Sequence, residues 1–386
     1  MGRGEISLIL PIKKESKESI KTTLDSLEEI YRRNRFGKLY IVHPADDEVS
    51  RRNLSKLLRE ARYSYPIKIV VSPNIDKLKA TDINYVLNNY VDDDITGVFD
   101  ADNYIDKEIL SKILEAFNRG YVAVSPRVYR YRSSFIGRLI FVESIIWYDI
   151  WISIFQRLNL HTPLSGEGLF IKTEVIKKLG GFPEELAEDA ALSVILALNN
   201  LRYGYVDSYV IELAPKNLRA LIKQRIRWYR GHLRVLFKLI RLGLMRRSLS
   251  KVLSTYIILF TPTMIYLAPI GYEIYRILPS MNEVNSIVRT VENDILEVMF
   301  LLSSPTQLLK INDLSKIFLI VAFYSYILML GIISYQLITR HRRVLGLREI
   351  LKILVIGIVG LPIYWFIVLI AFLLSLKPQK NTWYRT

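Results

Sequence analysis

Residues 95–106, ITGVFDADNYID, decide how this chain is read. Ile95–Phe99 is a short apolar run with β-branched residues at Ile95, Thr96 and Val98, which predicts a buried strand. The run stops at Asp100, and a second carboxylate follows at Asp102. A buried strand that ends on acids sets them at the carboxyl edge of a sheet, where open α/β sheets bind their ligands. Two carboxylates in D-x-D spacing are oxygen donors suited to a hard divalent cation, Mg2+ or Mn2+, which would bridge a substrate diphosphate. A solvated acidic turn is the competing reading, and the D-x-D pattern alone does not decide between them.

Working outward, similar runs recur at ISLIL (6–10), KLYIV (38–42), IKIVV (67–71) and YVAVS (121–125). Between them lie segments with helical periodicity at 17–33, 50–63, 79–91 and 106–120. Strand–helix alternation of this kind predicts an α/β fold: a Rossmann-like, mostly parallel sheet with helices on both faces.

The chain has 386 residues, a net charge of +16 and a hydrophobic content of 51%. Such a basic chain wants an anionic partner, and such an apolar one wants a bilayer; spans flanked by cations satisfy both. There is no cysteine, which excludes disulfides, thiol catalysis and cysteine metal sites. The four histidines at 43, 161, 232 and 341 form no HExxH-type site. Nucleic-acid binding is set aside, because the cations cluster beside apolar helices and no groove-reading motif occurs. The first apolar run is too short for a signal peptide, and Ile6 stands where a myristoylation signal has Ser or Thr.

Beyond residue 250 the pattern changes. Apolar runs at 252–277, 317–338 and 350–376 are each long enough to cross a bilayer, which takes about 20 residues. A fourth run, 284–302, is interrupted by Arg289, Glu292, Asp294 and Glu297 and reads as a loop, a surface helix or a tilted span. The expected plan is a cytoplasmic sheet domain at 1–216, interfacial amphipathic helices at 217–250, an α-helical transmembrane domain of three or four spans at 251–376, and a tail at 377–386. The positive-inside rule puts the sheet domain on the cytoplasmic side of a multi-pass plasma-membrane protein. Residues 217–244 are basic and amphipathic and suit a membrane interface. Residues 135–158 read equally as an interfacial helix or a buried core helix.

A second acidic pair, Glu188–Asp189, opens a predicted helix. Acids there complement the helix dipole; a carboxylate there can also serve as a general base toward an acceptor hydroxyl. Upstream, Gly166, Gly168, Gly180 and Gly181 mark tight turns.

Several of these segments, in order, resemble the family 2 membrane glycosyltransferases of the cellulose, hyaluronan, chitin and poly-N-acetylglucosamine synthase group. They are KATDINYVL (79–87), DAD (100–102), GEG (166–168), GGF (180–182), ED (188–189), ELAP (212–215), QRIRW (224–228) and the terminal WYR (383–385). The resemblance covers residues 5–230 and the tail, and rests on the order and spacing of motifs that are weak singly. It implies a GT-A fold, a nucleotide-sugar donor, usually a UDP-sugar, a glycan or lipid acceptor, and an inverting transfer dependent on Mg2+ or Mn2+. Asp189 would be the catalytic base. Asp46, Asp47, Lys79, Asp100, Gln224, Arg227 and Trp228 would face the donor. Gly166, Glu188 and Trp228 would face the acceptor, and Asp102 with Asp100 would hold the metal. Lys14 stands where the family pattern has Asn, and Asp46–Asp47 lack the following Gly. A tail motif on the cytoplasmic side requires an even number of spans. Processive synthesis, transfer of one sugar to a lipid acceptor, and a scaffold without turnover all remain open at this level.

Overall fold

The computed structural model describes residues 5–75, 78–243 and 314–377. Two compact units are present: Met1–Tyr256 with Ala371–Thr386, and Ile257–Ile370. The runs expected to span at 252–277 and 284–302, and the WYR tail, lie outside the described residues.

The first unit is built on an eight-stranded sheet. Its strands are β1 (Ile6–Pro11), β2 (Lys38–Pro44), β3 (Ile67–Ser72), β4 (Ile95–Val98), β5 (Tyr104–Ile105), β6 (Ala123–Tyr131), β7 (Leu169–Lys172) and β8 (Tyr203–Leu213). Their order is β3-β2-β1-β4-β7-β6-β8-β5. All six residues of β1 are buried. Its even-numbered side chains, Ile6, Leu8 and Leu10, join a core formed with α1 (Lys17–Arg33), α2 (Glu48–Glu60) and α4 (Ile109–Asn118). Ile9 points the other way, toward the face on which α3 (Lys79–Tyr90) packs. Period-2 alternation with both sides apolar is what a strand covered on two faces requires. Helix starts are set locally: the Ser16 side chain accepts from Ser19 N, and that of Asp47 accepts from Ser50 N.

The expectation of a mostly parallel sheet holds for β3-β2-β1-β4 and for β6-β8, but not for the other pairings. There β7 runs antiparallel to both β4 and β6, and β5 runs antiparallel to β8, so the sheet is mixed. Short length hides β5 and β7 from periodicity, at two and four residues. β6 and β8 are parallel to each other. Because β7 reverses twice between them, β4, β6 and β8 all end on one edge.

Residues 135–157 form α5 (Phe135–Ile145), a π-helical turn (Ile146–Trp151) and α6 (Ile152–Arg157). By length and composition they could cross a membrane, yet the structure uses them as core. Leu139, Ile140, Phe141 and Val142 are all buried in succession, the mark of a helix surrounded by protein. Its acids have partners: Asp149 accepts from the Tyr129 hydroxyl at 2.8 Å, and Glu143 pairs with Arg225 at 3.0 Å. Of the two readings left open for this segment, the core helix is the one observed.

Further along come α7 (Thr173–Lys178), α8 (Glu188–Leu198), α9 (Leu218–Gly243), α10 (Leu314–Gln336) and α11 (Arg342–Ser375). Within α11, the segments Leu345–Leu361 and Ile363–Ser375 meet at 54°. The residue between them is Pro362, which removes a helical hydrogen bond.

Candidate active site

Residues 99–103 turn away from β4 in a loop fixed by side chains. Asn103 Oδ1 accepts from Asp100 N at 3.0 Å, and the Thr23 hydroxyl of α1 donates to Asp100 O and accepts from Asn103 N. Asp102 adopts φ +71°, a left-handed conformation that Asp tolerates better than most residues, and its N–H donates to Ser19 O. The turn therefore holds both carboxyl groups at the edge where β4, β6 and β8 end.

Lys79 opens α3 and reaches this turn. Its Nζ lies 2.5 Å from Asp100 Oδ1 and 3.3 Å from Glu188 Oε1. Burial opposes the ammonium charge, but the two carboxylates outweigh it and hold Lys79 above its usual range. A single cation thus joins the β4 edge to the N-terminus of α8. One residue on, Asp189 accepts from Gly166 N at 2.8 Å and from Ala190 N at 2.7 Å. Burial, reinforced by the charges of Glu188 and Glu167, raises Asp189 to about 7.

A second cation organises the other side. Arg130 of β6 pairs with Glu167 at 2.8 Å and with Glu212 of β8 at 2.8 Å. Its guanidinium lies 4.6 Å from the Trp228 ring centroid, and that of Arg225 lies 4.1 Å from it. Burial works against ionised Glu167, but Arg130 and Lys79 hold it below its usual range. Glu212 stands at about 7, raised first by burial and then by Glu167 and Asp100, against the pull of Arg130. Asp102 is pushed up to about 9 by burial and the charges of Glu212, Asp100 and Glu167.

Lys79, Asp100 and Glu188 are thus in contact, and Gly166 is bonded to Asp189. Trp228 is engaged by two arginines. Gln224 is buried at 5% exposure and its Oε1 has no hydrogen-bond partner. Arg227 acts on Glu212 through its charge. Asp46 is exposed in the β2–α2 loop, whereas Asp47 is buried, capping α2 and accepting from Lys14 N at 2.6 Å. Asn84 of α3 ties the GGF segment down: it donates to Phe182 O at 2.8 Å and accepts from Phe182 N at 2.7 Å. Gly168 has φ +78°, and a Cβ there would meet Pro126 Cγ at 2.8 Å, so the loop after Glu167 requires glycine.

Sequence reasoning missed Arg130. It lies in the strand run AVSPRVYRY, where nothing in the spacing marks it; only the register pairing Arg130 with Glu212 reveals it. Glu167 and Glu212 sat inside quoted motifs without a role.

Among the described residues, no group of three or more His, Asp or Glu side chains is arranged to hold a metal by itself. Two half-buried carboxylates, Asp100 and Asp102, with further acids around them, nonetheless fit a hard divalent cation. Mg2+ in particular takes one or two protein carboxylates and completes its shell with water and substrate phosphate.

Comparison with known proteins bears on the family and the fold. Glycosyl transferase family group 2 matches residues 96–288, and Glycosyl transferase family 2 matches residues 7–170. The chain is 26% identical over 249 residues to "Probable glycosyltransferase YdaM" of Bacillus subtilis (strain 168). That match takes in 61% of this chain and 56% of the relative, so it spans little more than half of that protein's length. Among solved structures, a mannosyltransferase, PcManGT, from Pyrobaculum calidifontis in complex with GDP-Man and Mn2+ superposes with a TM-score of 0.56. The superposition covers 83% of this chain and 86% of that one at 19% identity, a likeness of fold. With half of its residues matched by one family model and the β1–β7 region by a second, the chain belongs to glycosyl transferase family group 2.

Proposed function

We propose that the chain is a membrane-embedded, inverting glycosyltransferase that moves a sugar from a nucleotide-sugar donor to an acceptor hydroxyl. The observation that carries this reading is the Lys79 bridge, which brings Asp100 and the Glu188–Asp189 pair to one place. In the proposed step the Asp189 carboxylate takes the proton of the acceptor hydroxyl, and the oxygen forms its bond to the anomeric carbon. The bond from that carbon to the diphosphate breaks, its electron pair leaves with the nucleoside diphosphate, and the configuration inverts. A base near 7 is matched to neutral conditions. Lys79 and Arg227 offer positive charge to the donor phosphates. A divalent cation held by Asp100 and Asp102 would supply further charge to the departing diphosphate. The mannosyltransferase neighbour, described with GDP-Man and Mn2+, makes GDP-mannose a donor to test beside UDP-sugars.

Embedding in a bilayer is supported by the apolar side chains that α10 and α11 leave exposed, among them Leu328, Tyr335, Leu351, Val355 and Val359. Water does not tolerate so many exposed apolar groups on two helices, whereas lipid does. The proposed orientation keeps the sheet domain on the cytoplasmic side, with α9 at the interface.

Processive polymer synthesis is the form we favour, because the Q-x-x-R-W segment lies on α9 between the α8 base and the apolar region. Transfer of a single sugar to a lipid acceptor is the second reading. It is favoured by exposed Leu213 and Leu218 close after Glu212, apolar groups that suit an acceptor with a lipid part. Membranes incubated with labelled donor and Mn2+ test both. A long, glycosidase-sensitive polymer is expected, and a single labelled sugar on an organic-extractable lipid selects the second reading. Asp189→Asn is expected to reduce transfer by about 10²–10⁴-fold; full turnover in that variant would overturn the assignment of the base.

A further inference from the structure

Arg130 reaches three groups of the site, Glu167, Glu212 and Trp228. It is buried, at 5% exposure, near the end of the β6–β8 register, opposite Glu212. Glu167, one of its partners, lies between Gly166, which donates to Asp189, and Gly168, which has no room for a side chain. Glu167 also accepts from the Ser165 hydroxyl at 3.0 Å. The second partner, Glu212, ends β8 next to Leu213. The third contact is the Trp228 indole on α9. One planar cation therefore links the loop behind the candidate base, the strand that leads into α9, and the ring expected to face the acceptor as well as the donor.

We propose that Arg130 is a positioning residue that fixes Glu167, Glu212 and Trp228 in one arrangement and thereby sets the acceptor side of the site. The inference rests on the transferase reading above. One guanidinium here donates a hydrogen bond to Glu167 at 2.8 Å, pairs by charge with Glu212 at 2.8 Å and lies 4.6 Å from the Trp228 ring centroid, a combination that suits arginine. Lysine, a point charge on a flexible stem, can reach carboxylates but gives no flat face to the indole. A contrast sits three residues earlier on the same strand. Arg127 also pairs with two acids, Asp149 at 3.6 Å and Asp207 at 2.9 Å, but neither has an expected role in the reaction. It separates loss of an arginine ion pair on the same strand from loss of positioning.

The experiment uses the full chain in detergent or nanodiscs, with Arg130→Lys, Arg130→Ala, Arg127→Met, Trp228→Phe and Asp189→Asn. For Arg130→Lys the donor KM is expected to stay within about twofold, the acceptor KM to rise about tenfold, and kcat to fall about tenfold or more. The Trp228 contribution to indole fluorescence, obtained by difference from Trp228→Phe, is expected to shift in Arg130→Lys and not in Arg127→Met. Millimolar methylguanidinium is expected to restore part of the kcat of Arg130→Ala. Should that variant not fold, Arg130→Lys carries the test with the same two readouts. Wild-type kinetic constants and unshifted fluorescence in Arg130→Lys would overturn the proposal. So would a kinetic loss that follows the folded fraction as it does in Arg127→Met. Full turnover in Asp189→Asn overturns the assignment of the base instead, and leaves the fluorescence result to judge Arg130 on its own.

Discussion

Asp189 is the group whose behaviour the structure fixes most closely. Its carboxyl stands at about 7, raised by burial first and then by Glu188 and Glu167, and held back by the Ala190 N–H and by Lys79. In the proposed role of base it would work only when ionised. At pH 6 about nine-tenths of it is protonated and at pH 8 about one-tenth. The acceptor kcat/KM should therefore climb about tenfold per pH unit below 7 and level off above 8. Between pH 5.5 and 8.5 the rise should be about thirtyfold. Glu188→Gln removes the larger of the two charges that raise it, so the ascending limb should move to lower pH. Stability runs the opposite way. A carboxyl raised in the folded chain keeps its proton when the unfolded chain has lost its own, so this group's contribution to stability declines as pH rises from about 4 to about 7. Wild-type protein should thus lose more thermal stability than Asp189→Asn over that window. Initial rates at saturating donor, with melting curves across pH 4–8.5, provide both readouts. A flat rate profile through pH 7, or a limb unmoved by Glu188→Gln, would refute the reasoning.

Lys79→Met strips Asp100 and Glu188 of their shared cation. The pair is partly exposed, so screening keeps the stability cost to about 1–3 kcal/mol, while the donor KM should rise at least tenfold, measured by nucleotide release. Chelation of divalent cations should abolish transfer and Mn2+ or Mg2+ should restore it; Asp102→Asn should demand more metal for half-maximal rate, and an unchanged requirement would count against its role. Gly168→Ala should destabilise the first unit by about 1–3 kcal/mol, because φ +78° and a 2.8 Å approach to Pro126 Cγ leave no room for a methyl group. Gly166→Ala should instead leave melting within about 0.5 kcal/mol and lower kcat, since its Cβ would meet Asp189 Oδ2 at an ordinary 3.4 Å.

The half of the fold that repeats is the half the sequence displays. The expected helix at 17–33 is α1 to the residue, and the expected strands at 6–10, 38–42 and 67–71 fall inside β1, β2 and β3. Each is a run of apolar residues whose period its own length can show. β7 escapes because four residues carry no period, and its direction depends on a turn at Gly168. The 135–157 segment shows a deeper limit. Its composition suits lipid and protein core equally, and only Asp149 with Tyr129 and Arg127, and Glu143 with Arg225, reveal the core. Asp100 and Asp102 stand out because they interrupt an apolar run, whereas Glu167 and Glu212 gave no such signal. Arg130 gave none either, because an arginine on the edge of a strand looks solvated until its cross-strand partner is known.

The cluster KQRIRWYRG at 223–231 shows why charge counts do not convert into roles. Arg225 is spent on Glu143 and on the Trp228 ring. Arg230 lies 3.4 Å from the Leu374 and Ser375 carbonyls, where a cation meets the negative end of α11. Lys223 is exposed, which leaves Arg227 turned toward the field of Glu212. One of four cations thus reaches the acids of the site. Those acids are many: Asp100, Asp102, Glu167, Glu188, Asp189 and Glu212, against Lys79, Arg130 and Arg227. With Asp102 at about 9 and Asp189 and Glu212 at about 7, part of that charge is neutralised by protons near neutral pH, and an entering diphosphate meets the remainder. Two buried cations already committed to carboxylates cannot neutralise it alone. In the proposed reaction a divalent cation at Asp100 and Asp102 would supply the added positive charge that diphosphate binding needs.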